Sequence, residues 1–185
     1  MFTFIELETC KSTNEEAWRH APATTPILIS ARNQTKGKGR MGKTWVDSSP
    51  DNIKISILIP QSPQDLLQLP MEVGKLTCEA LLETAKELKM SANFSLLTIK
   101  PPNDLLYAGK KLAGILCESK MLGERCLGVV IGLGLNIVNA PAIPEVKTAC
   151  LKEDVFSGYN IDLNAFKSIF IKMWGHKMSW VMSNT

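Results

Sequence analysis

The sequence predicts an α+β fold in which a mixed, mostly antiparallel β-sheet is covered by helices. Short β-prone apolar segments recur along the chain, and the clearest of them, residues 53–59, places isoleucine at alternate positions. Residues 71–89 and 162–182 instead carry apolar side chains at helical spacing. A hydrophobic fraction of 45% over 185 residues is enough for one sizeable core. We therefore expect residues 1–185 to form a single domain.

The first part of the chain predicts two strands separated by a short helix. Residues 2–8 are apolar and β-prone enough for a first strand. The Ser-Thr pair at 12–13, followed by two glutamates, is typical of a helix start, and that helix should end before Pro22. Residues 27–31 predict a buried second strand, and residues 60–70 predict a connection with one helical turn.

The second part of the chain predicts further strands before the final helix. Residues 96–99 have the composition of a short buried strand, and the two prolines at 101–102 should stop it because neither can donate a ladder hydrogen bond. Residues 126–138 predict another strand, and its three glycines indicate that the backbone lies close to something else. Residues 139–158 are expected to form a loop.

A predicted β-hairpin brings polar side chains together. Its arms are residues 105–107 and 112–117, joined by an Ala-Gly-Lys turn. Because a hairpin reverses the chain, Lys111 should return towards Asn103 and Asp104. An amide, a carboxylate and one or two ammonium groups at one rim of a sheet can hold an anionic ligand together with a cation. The alternative is ordinary turn chemistry and a solvated hairpin tip.

A second polar stretch, residues 32–44, has no apolar periodicity and is predicted to be a functional or mobile loop. It contains Gly-Lys-Gly-Arg-Met-Gly at 37–42. Glycines allow backbone amides to approach an anion, and the guanidinium of Arg40 can bind two phosphate oxygens. The stretch is not a Walker loop, because no Gly-Lys-Ser/Thr ends it at a helix start. The alternative is an exposed flexible loop without a ligand.

Composition argues against several classes of function. A formal charge of +3 without a long basic run does not favour nucleic-acid binding. The five cysteines form no CxxC pair, so neither a zinc site nor a disulfide framework is indicated, and a reducing, cytoplasmic setting fits best. No stretch approaches the roughly 18 apolar residues of a membrane span, so no membrane association is expected.

Five short motifs follow one another between residues 9 and 138. They are Ser-Thr-Asn at 12–14, Gln-x-x-Gly-x-Gly-Arg-x-Gly-x-x-Trp at 34–45, Lys-x-Pro-Asn-Asp-Leu at 100–105, Lys-Leu-Ala-Gly-Ile-Leu at 111–116 and Gly-x-Gly-x-Asn at 132–136. Each motif alone is unspecific. Together and in this order they resemble the biotin protein ligase family, in its monofunctional form without an N-terminal DNA-binding domain.

The resemblance implies a fold like that of biotin ligases and class II aminoacyl-tRNA synthetases. It also implies that biotin and ATP are joined as biotinyl-AMP and that biotin is then passed to a lysine of a biotin carboxyl carrier protein. The implied biotin-binding residues are Ser12, Thr13, Asn14, Gln34, Gly37, Lys38, Gly39, Lys111 and Gly114. The implied nucleotide-binding residues are Arg40, Trp45, Asn103 and Asn136. The implied catalytic residues are Lys111, Arg40 and Lys100, and Asp104 would help ATP to hold Mg²⁺.

The sequence departs from the family pattern in two motifs and in length. Pro101 stands where tryptophan is usual, and Lys38 stands where arginine is usual, which keeps the charge but loses the planar fork. We expect neither the helix-turn-helix domain of repressor relatives nor the family's small C-terminal β-barrel domain. Because the β-barrel domain helps relatives to bind ATP and the carrier, its absence would make the transfer of biotin to the carrier less efficient. A non-catalytic biotin or adenylate sensor and a lipoate protein ligase are the alternatives, although the lipoate ligase stretch Arg-Arg-x-x-Gly-Gly-Gly is missing. The oligomeric state stays open, with a homodimer as one option.

Overall fold

The computed structural model describes residues 1–60 and 67–181. Within these ranges seven strands form one sheet. The strands are β1 (Thr3–Cys10), β2 (Ile27–Gln34), β3 (Ile53–Ile59), β4 (Leu97–Lys100), β5 (Asp104–Tyr107), β6 (Lys110–Leu122) and β7 (Arg125–Leu135). Their order in the sheet is β1-β2-β3-β7-β6-β5-β4. Only β1 and β2 pair in parallel, so the expected mixed, mostly antiparallel sheet is confirmed.

Helices cover both faces of this sheet. The helices are α1 (Thr13–Trp18), α2 (Leu69–Glu87) and α3 (Leu163–Val181). The isoleucines of β3 belong to the main core with α2 and α3, whereas Leu58 of the same strand packs with Ala17 of α1. Because successive strand residues point to opposite faces, α1 lies on the face opposite to α2 and α3. No helix of the described residues is long and apolar enough to cross a membrane.

Burial of β3 on both faces differs from the simple alternation of its sequence. All seven residues of the strand are buried, including Lys54 and Ser56. The isoleucine pattern located the strand and its core face correctly. The opposite face is covered by α1 and by the segment that precedes the strand, which is a tertiary effect that the local pattern does not contain.

The predicted hairpin forms, but its turn contains only Ala108 and Gly109, because Lys110 already belongs to β6. Ala108 and Gly109 both have positive φ, 48° and 76°, as a two-residue type I′ turn requires. Its second arm is longer than predicted, because β6 continues to Leu122 in antiparallel pairing with β7. Leu151–Val155 forms one π-helical turn within the predicted 139–158 loop. Most of the predicted 60–70 connection lies outside the described residues.

Candidate active site

A cavity of about 940 Å³ lies beside the start of α1, and its lining includes the β4–β5 connection and residues of β6 and β7. Most of the residues singled out in the sequence line it, namely Ser12, Thr13, Asn14, Gln34, Lys38, Gly39, Arg40, Trp45, Lys100, Asn103, Asp104, Lys111 and Gly114. Five separate motifs therefore meet at one place. The roles of the individual residues stay predictions.

The floor of the cavity is a buried hydrogen-bonded network at the start of α1. The backbone N–H of Thr13 donates to Oε1 of Gln34 at 2.7 Å, and the Thr13 hydroxyl donates to the same oxygen at 3.1 Å. The Ser56 hydroxyl lies 2.7 Å from Thr13 Oγ1 and 2.6 Å from Asn14 Oδ1. Nδ2 of Asn14 donates to Glu118 at 2.7 Å. Since these bonds occupy the amide oxygen of Gln34, its amide N–H groups are the ones that remain to donate to a ligand.

Two members of this network, Ser56 and Glu118, were not among the sequence-predicted site residues. Ser56 lies in the middle of β3 on the same face as Lys54, and its fully buried hydroxyl needs a polar partner. In the sequence both residues occupy the polar positions of an alternating strand, which predicts a solvent-facing side chain. Glu118 gave no signal either, because it lies where β6 passes from the core to solvent.

The rim of the cavity carries a close ion pair. Nζ of Lys111 lies 2.7 Å from Oδ1 of Asp104, and both side chains are about one quarter exposed, at 25% and 23%. The same ammonium is 5.7 Å from the centroid of the Trp45 ring. Nδ2 of Asn103 donates to the Ile115 carbonyl at 2.9 Å, which ties the β4–β5 connection to β6. The structure therefore confirms the prediction that the hairpin brings Lys111 close to Asn103 and Asp104.

The neighbouring lysine points elsewhere. Lys110 does not line the cavity, and its Nζ lies 2.8 Å from Oδ1 of Asp154, in the π-helical turn. This hydrogen bond raises the pKa of Lys110. The opposite directions of the two lysines follow from the alternation of side chains along β6. Of the two candidate ammonium groups of the hairpin, only Lys111 reaches the cavity, and Lys100 lines it separately from the end of β4.

Glycines let the Trp45 indole lie directly on the sheet. A Cβ on Gly134 would overlap the indole, and a Cβ on Gly114 would lie 2.8 Å from Cζ3. A Cβ on Gly132 would overlap the side-chain amide of Asn14. The prediction that the β7 glycines permit a close approach is therefore confirmed. The β6 and β7 glycines form a flat platform for one aromatic ring and one amide.

The segment of residues 35–46, called the glycine loop below, folds back on itself over the cavity. Gly39 N–H donates to the Lys43 carbonyl at 2.7 Å, and Trp45 N–H donates to the Gly37 carbonyl at 3.0 Å. Arg40 opens a short 3₁₀ turn at the exposed tip. The loop has more internal structure than its sequence predicted, because hydrogen bonds between its two arms replace apolar contacts.

Lys38 is already paired with the first turn of α1. Its Nζ lies 2.7 Å from Oε1 of Glu15, and both side chains are substantially exposed. The hydrogen bond lowers the pKa of Glu15 and raises that of Lys38. Lysine at this position therefore ties the glycine loop to α1, beside the floor residues.

Two predicted contact residues, Gly37 and Asn136, do not line the cavity. Gly37 is packed under the backbone of Trp45. Asn136 is 1% exposed, and its Nδ2 donates to the Ala149 carbonyl at 3.1 Å. Its Oδ1 is buried without a hydrogen-bond partner among the described residues. Asn136 therefore supports the segment behind the cavity, and a direct contact of its side chain with nucleotide has no support from this geometry.

One wall of the cavity was missed in the sequence. Residues 143–147 line it. They are held in place where Lys111 N–H donates to the Lys147 carbonyl at 2.8 Å and Ala149 N–H donates to the Lys111 carbonyl at 2.9 Å. This segment therefore lies alongside the first residues of β6. It has neither apolar periodicity nor a polar motif, so its sequence predicted only a loop.

The fold and the cavity define a class of protein: an α+β ligand-binding domain that can hold a polar group on its floor and an anion at its cationic rim. Residues 4–136 match the family model described as the biotin/lipoate A/B protein ligase family, and the chain belongs to this family.

Two similar proteins are the bifunctional ligase/repressor BirA of Bacillus subtilis and the biotin–[acetyl-CoA-carboxylase] ligase of Paracoccus denitrificans. The first is 34% identical over 133 residues, which are 72% of this chain and 38% of that protein. The second is 34% identical over 132 residues, or 70% of this chain and 52% of that protein. The chain thus spans about half or less of the length of these relatives.

Solved structures agree with the fold. The biotin protein ligase of Aquifex aeolicus in complex with biotin and ATP superimposes with a TM-score of 0.72 at 26% identity, covering 99% of this chain and 73% of that one. The Leishmania major biotin protein ligase in complex with biotinyl-5-AMP gives a TM-score of 0.70 at 25% identity, covering 97% and 81%. Lipoate-protein ligase A bound with ATP, at 12% identity and a TM-score of 0.61, shows the fold alone.

Proposed function

We propose that this domain activates biotin with ATP as biotinyl-AMP and transfers biotin to a lysine of a biotin carboxyl carrier protein. The observation that carries the proposal is that one cavity contains both a neutral hydrogen-bonding floor, at Thr13 and Gln34, and a rim where Arg40 and Lys100 add positive charge to the Lys111–Asp104 ion pair. Biotin has the matching polarity, with a neutral ureido ring at one end and a carboxylate at the other. The name of the Paracoccus denitrificans relative and the ligands of the two neighbouring structures support the same substrate.

The floor suits the ureido ring of biotin. That ring presents one carbonyl acceptor and two N–H donors. The amide N–H groups of Gln34 would donate to the carbonyl, while the side-chain oxygens of Ser12 and Asn14 are acceptors close by. The network that includes Ser56 and Glu118 fixes the side chains of Gln34 and Asn14 before a ligand arrives, which reduces the entropy lost on binding.

The reaction requires no protein nucleophile. A carboxylate oxygen of biotin attacks the α-phosphorus of ATP, the bond from that phosphorus to the bridging oxygen breaks, and pyrophosphate leaves. The carrier amine then attacks the acyl carbon of the mixed anhydride, and AMP leaves. We assign to Lys111 the stabilisation of charge on the α-phosphate, with further positive charge from Lys100, and to Arg40 the binding of the phosphate of the intermediate.

The cysteines are consistent with a reaction that uses no protein nucleophile. Burial raises the pKa of Cys117 to about 12 and those of Cys10 and Cys78 to about 11. These thiols are therefore protonated at neutral pH, and a protonated thiol is a poor nucleophile. None of the five cysteines lines the cavity, so the proposal assigns the rate to positioning and electrostatics.

Magnesium fits the site as part of the ATP complex. No cluster of three or more histidine, cysteine, aspartate or glutamate side chains that could hold a metal ion occurs in residues 1–60 and 67–181. The rim offers the carboxylate of Asp104, and its Oδ1 already accepts from Lys111. Mg²⁺ usually takes one or two carboxylates together with substrate phosphates, so Asp104 could contribute one oxygen to an ion held mainly by ATP. The ion would neutralise phosphate charge.

The acceptor, the compartment and the assembly are also part of the proposal. The Paracoccus relative is named for acetyl-CoA carboxylase, which supports a carboxyl carrier as the acceptor. The five cysteines at 10, 78, 117, 126 and 150 are free, which suits a reducing cytoplasm. A homodimer and a single catalytic domain over residues 1–185 remain our working expectations.

The decisive experiment measures pyrophosphate release by the purified protein with MgATP and either biotin or lipoate. Release that depends on biotin supports the proposal, and trapping of biotinyl-AMP would identify the product. Release with lipoate alone would favour a lipoate ligase, which the family model and the shared fold also accommodate. Tight binding of biotin without any pyrophosphate release would show a sensor and overturn the catalytic assignment.

A further inference from the structure

A lysine is fully buried at the base of the glycine loop. The Lys54 side chain, on β3, has an exposed fraction of 0%. Its Nζ donates to the Arg32 carbonyl at 2.6 Å and to the Ser49 carbonyl at 2.8 Å, and it lies 3.1 Å from each carboxylate oxygen of Asp47. The three N–H groups of the ammonium thus meet three acceptor groups. Burial lowers the pKa of Lys54, and the charge of Asp47 opposes that shift.

The acceptors come from both ends of the glycine loop. Arg32 precedes the loop at the end of β2, whereas Asp47 and Ser49 follow it. The carboxylate of Asp47 also accepts from the backbone N–H of Gln34, at 3.4 Å, which is a second and longer link between the two ends. One ammonium therefore closes the loop at its base.

The loop between these ends carries two groups assigned to the reaction, Arg40 and Trp45. Trp45 is only two residues from Asp47, so a shift of Asp47 would move the indole on its glycine platform. The Gln34 side chain is anchored separately, through Oε1 to Thr13. Release of the loop base should consequently disturb the cover of the cavity much more than its floor.

We propose that Lys54 and Asp47 are positioning residues, which fix the base of the glycine loop and thereby place Trp45 and Arg40 over the cavity. The assignment of the loop base follows from the contacts alone. Its consequence for the intermediate rests on the proposed function. Neither residue lines the cavity, so both act through the loop rather than on substrate.

The test replaces both partners, because removing only Lys54 would leave an uncompensated buried carboxylate and threaten the fold. The variant K54M/D47N keeps the approximate volumes and removes both charges. The matched control is K177M, since Lys177 is one-fifth exposed, at 20%, and pairs with Glu79 and Glu83 of α2, away from the loop.

The first readout is tryptic cleavage without any ligand. In the double variant, cleavage after Lys36, Lys38, Arg40 and Lys43 should accelerate on the order of tenfold, since proteolysis follows the population of the open form. The control should be cleaved there at the wild-type rate. A folded double variant with wild-type cleavage overturns the proposal. If the double variant does not fold, D47E replaces it, because this change keeps both charges and displaces the carboxylate by one methylene: faster cleavage supports the loop base, and unchanged cleavage overturns it.

The second readout separates positioning from a general loss of structure. Biotin affinity, measured by calorimetry, should change by no more than about threefold, whereas release of preformed biotinyl-AMP should accelerate on the order of tenfold. If biotin affinity falls by as large a factor as the release of biotinyl-AMP accelerates, the role is not confined to the loop. If cleavage accelerates but the wild-type protein makes no biotinyl-AMP, the loop base stands and the proposed function fails.

Discussion

Replacing Lys111 by methionine removes the rim ammonium and keeps most of its aliphatic chain. Two contacts disappear from the described site, the 2.7 Å ion pair with Asp104 and the 5.7 Å contact with the Trp45 ring. A partly exposed ion pair is worth about 0–1 kcal/mol, and an exposed cation–π contact is worth about 0.5–1 kcal/mol. The expected loss of stability is therefore at most about 2 kcal/mol, or a few degrees in Tm.

The expected loss of activity is larger. A positioned charge that acts on the developing charge of a transition state contributes about 10²–10³ in rate, or about 2.7–4 kcal/mol. We therefore expect K111M to remain folded while biotinyl-AMP formation falls by about two to three orders of magnitude. The excess of the kinetic effect over the stability effect identifies a functional charge rather than a structural one.

The neighbouring residue provides a matched control. K110M also removes a lysine from β6 and breaks one ion pair, with Asp154 at 2.8 Å, but its ammonium lies outside the cavity lining. Its Tm should fall by no more than that of K111M, with adenylation close to the wild-type rate. Biotin-dependent pyrophosphate release and circular dichroism test both variants. A folded K111M that adenylates biotin at a near wild-type rate, or a K110M that is equally slow, would refute the assignment.

Three further predictions concern the groups around the rim. R40G should form biotinyl-AMP but release it about ten- to a hundredfold faster, because one charge-assisted contact of about 1.5–3 kcal/mol is lost; a lysine-rich bystander protein should become biotinylated on blots. G134A should cost about 1–3 kcal/mol in urea unfolding, because its Cβ overlaps the Trp45 indole, and the second change W45A should recover much of that cost. E15Q should lower Tm at neutral pH and not at acid pH. The hydrogen bond from Lys38 lowers the folded-state pKa of Glu15 below its ordinary value of 4.5. The stability contributed by this hydrogen bond is therefore present above pH 4.5 and is lost as the pH falls through the depressed pKa.

Each of these predictions has an outcome that contradicts it. A clean bystander with R40G, while biotinyl-AMP is still made, would move retention of the intermediate to another residue. Additive costs of G134A and W45A would show that the ring and the glycine do not meet. A Tm difference between wild type and E15Q that persists below the titration of Glu15 would mean that its carboxylate is not held by Lys38.

The sequence predicted those parts of the fold whose pattern is local. The isoleucine alternation of β3 and the β5–β6 hairpin both depend on a few neighbouring residues, and both were found, although the predicted Ala-Gly-Lys turn is shorter by one residue in the structure. The hairpin then predicted the approach of Lys111 to Asp104, because strand reversal alone brings them together. The order of the five motifs added the identity of the family, which no single motif carried.

The parts that were missed depend on contacts between distant segments. Lys54 occupies an alternate position in β3, where a lysine in isolation predicts a solvent-facing side. It is enclosed by the end of β2 and by residues 47–49, which supply the acceptors of its ammonium. Residues 143–147 become a cavity wall because Lys111 pairs with Lys147, and the side chain of Asn136 is held away from the cavity by its hydrogen bond to Ala149. None of these arrangements has a periodic or compositional signal.

The two lysines that hold the glycine loop, Lys38 and Lys54, form ion pairs of different strength. The pair between Lys38 and Glu15 is exposed, so it is worth little and is screened by salt. The pair between Lys54 and Asp47 is buried and fully hydrogen-bonded, so separating its partners would leave charge without solvation. The base of the loop is therefore held strongly, while its tip is held by a contact that thermal motion can break. In the proposed two-step reaction the glycine loop must admit ATP and the carrier, and must then return Arg40 and Trp45 to the same place over the intermediate. A strongly held base and a weakly held tip allow both.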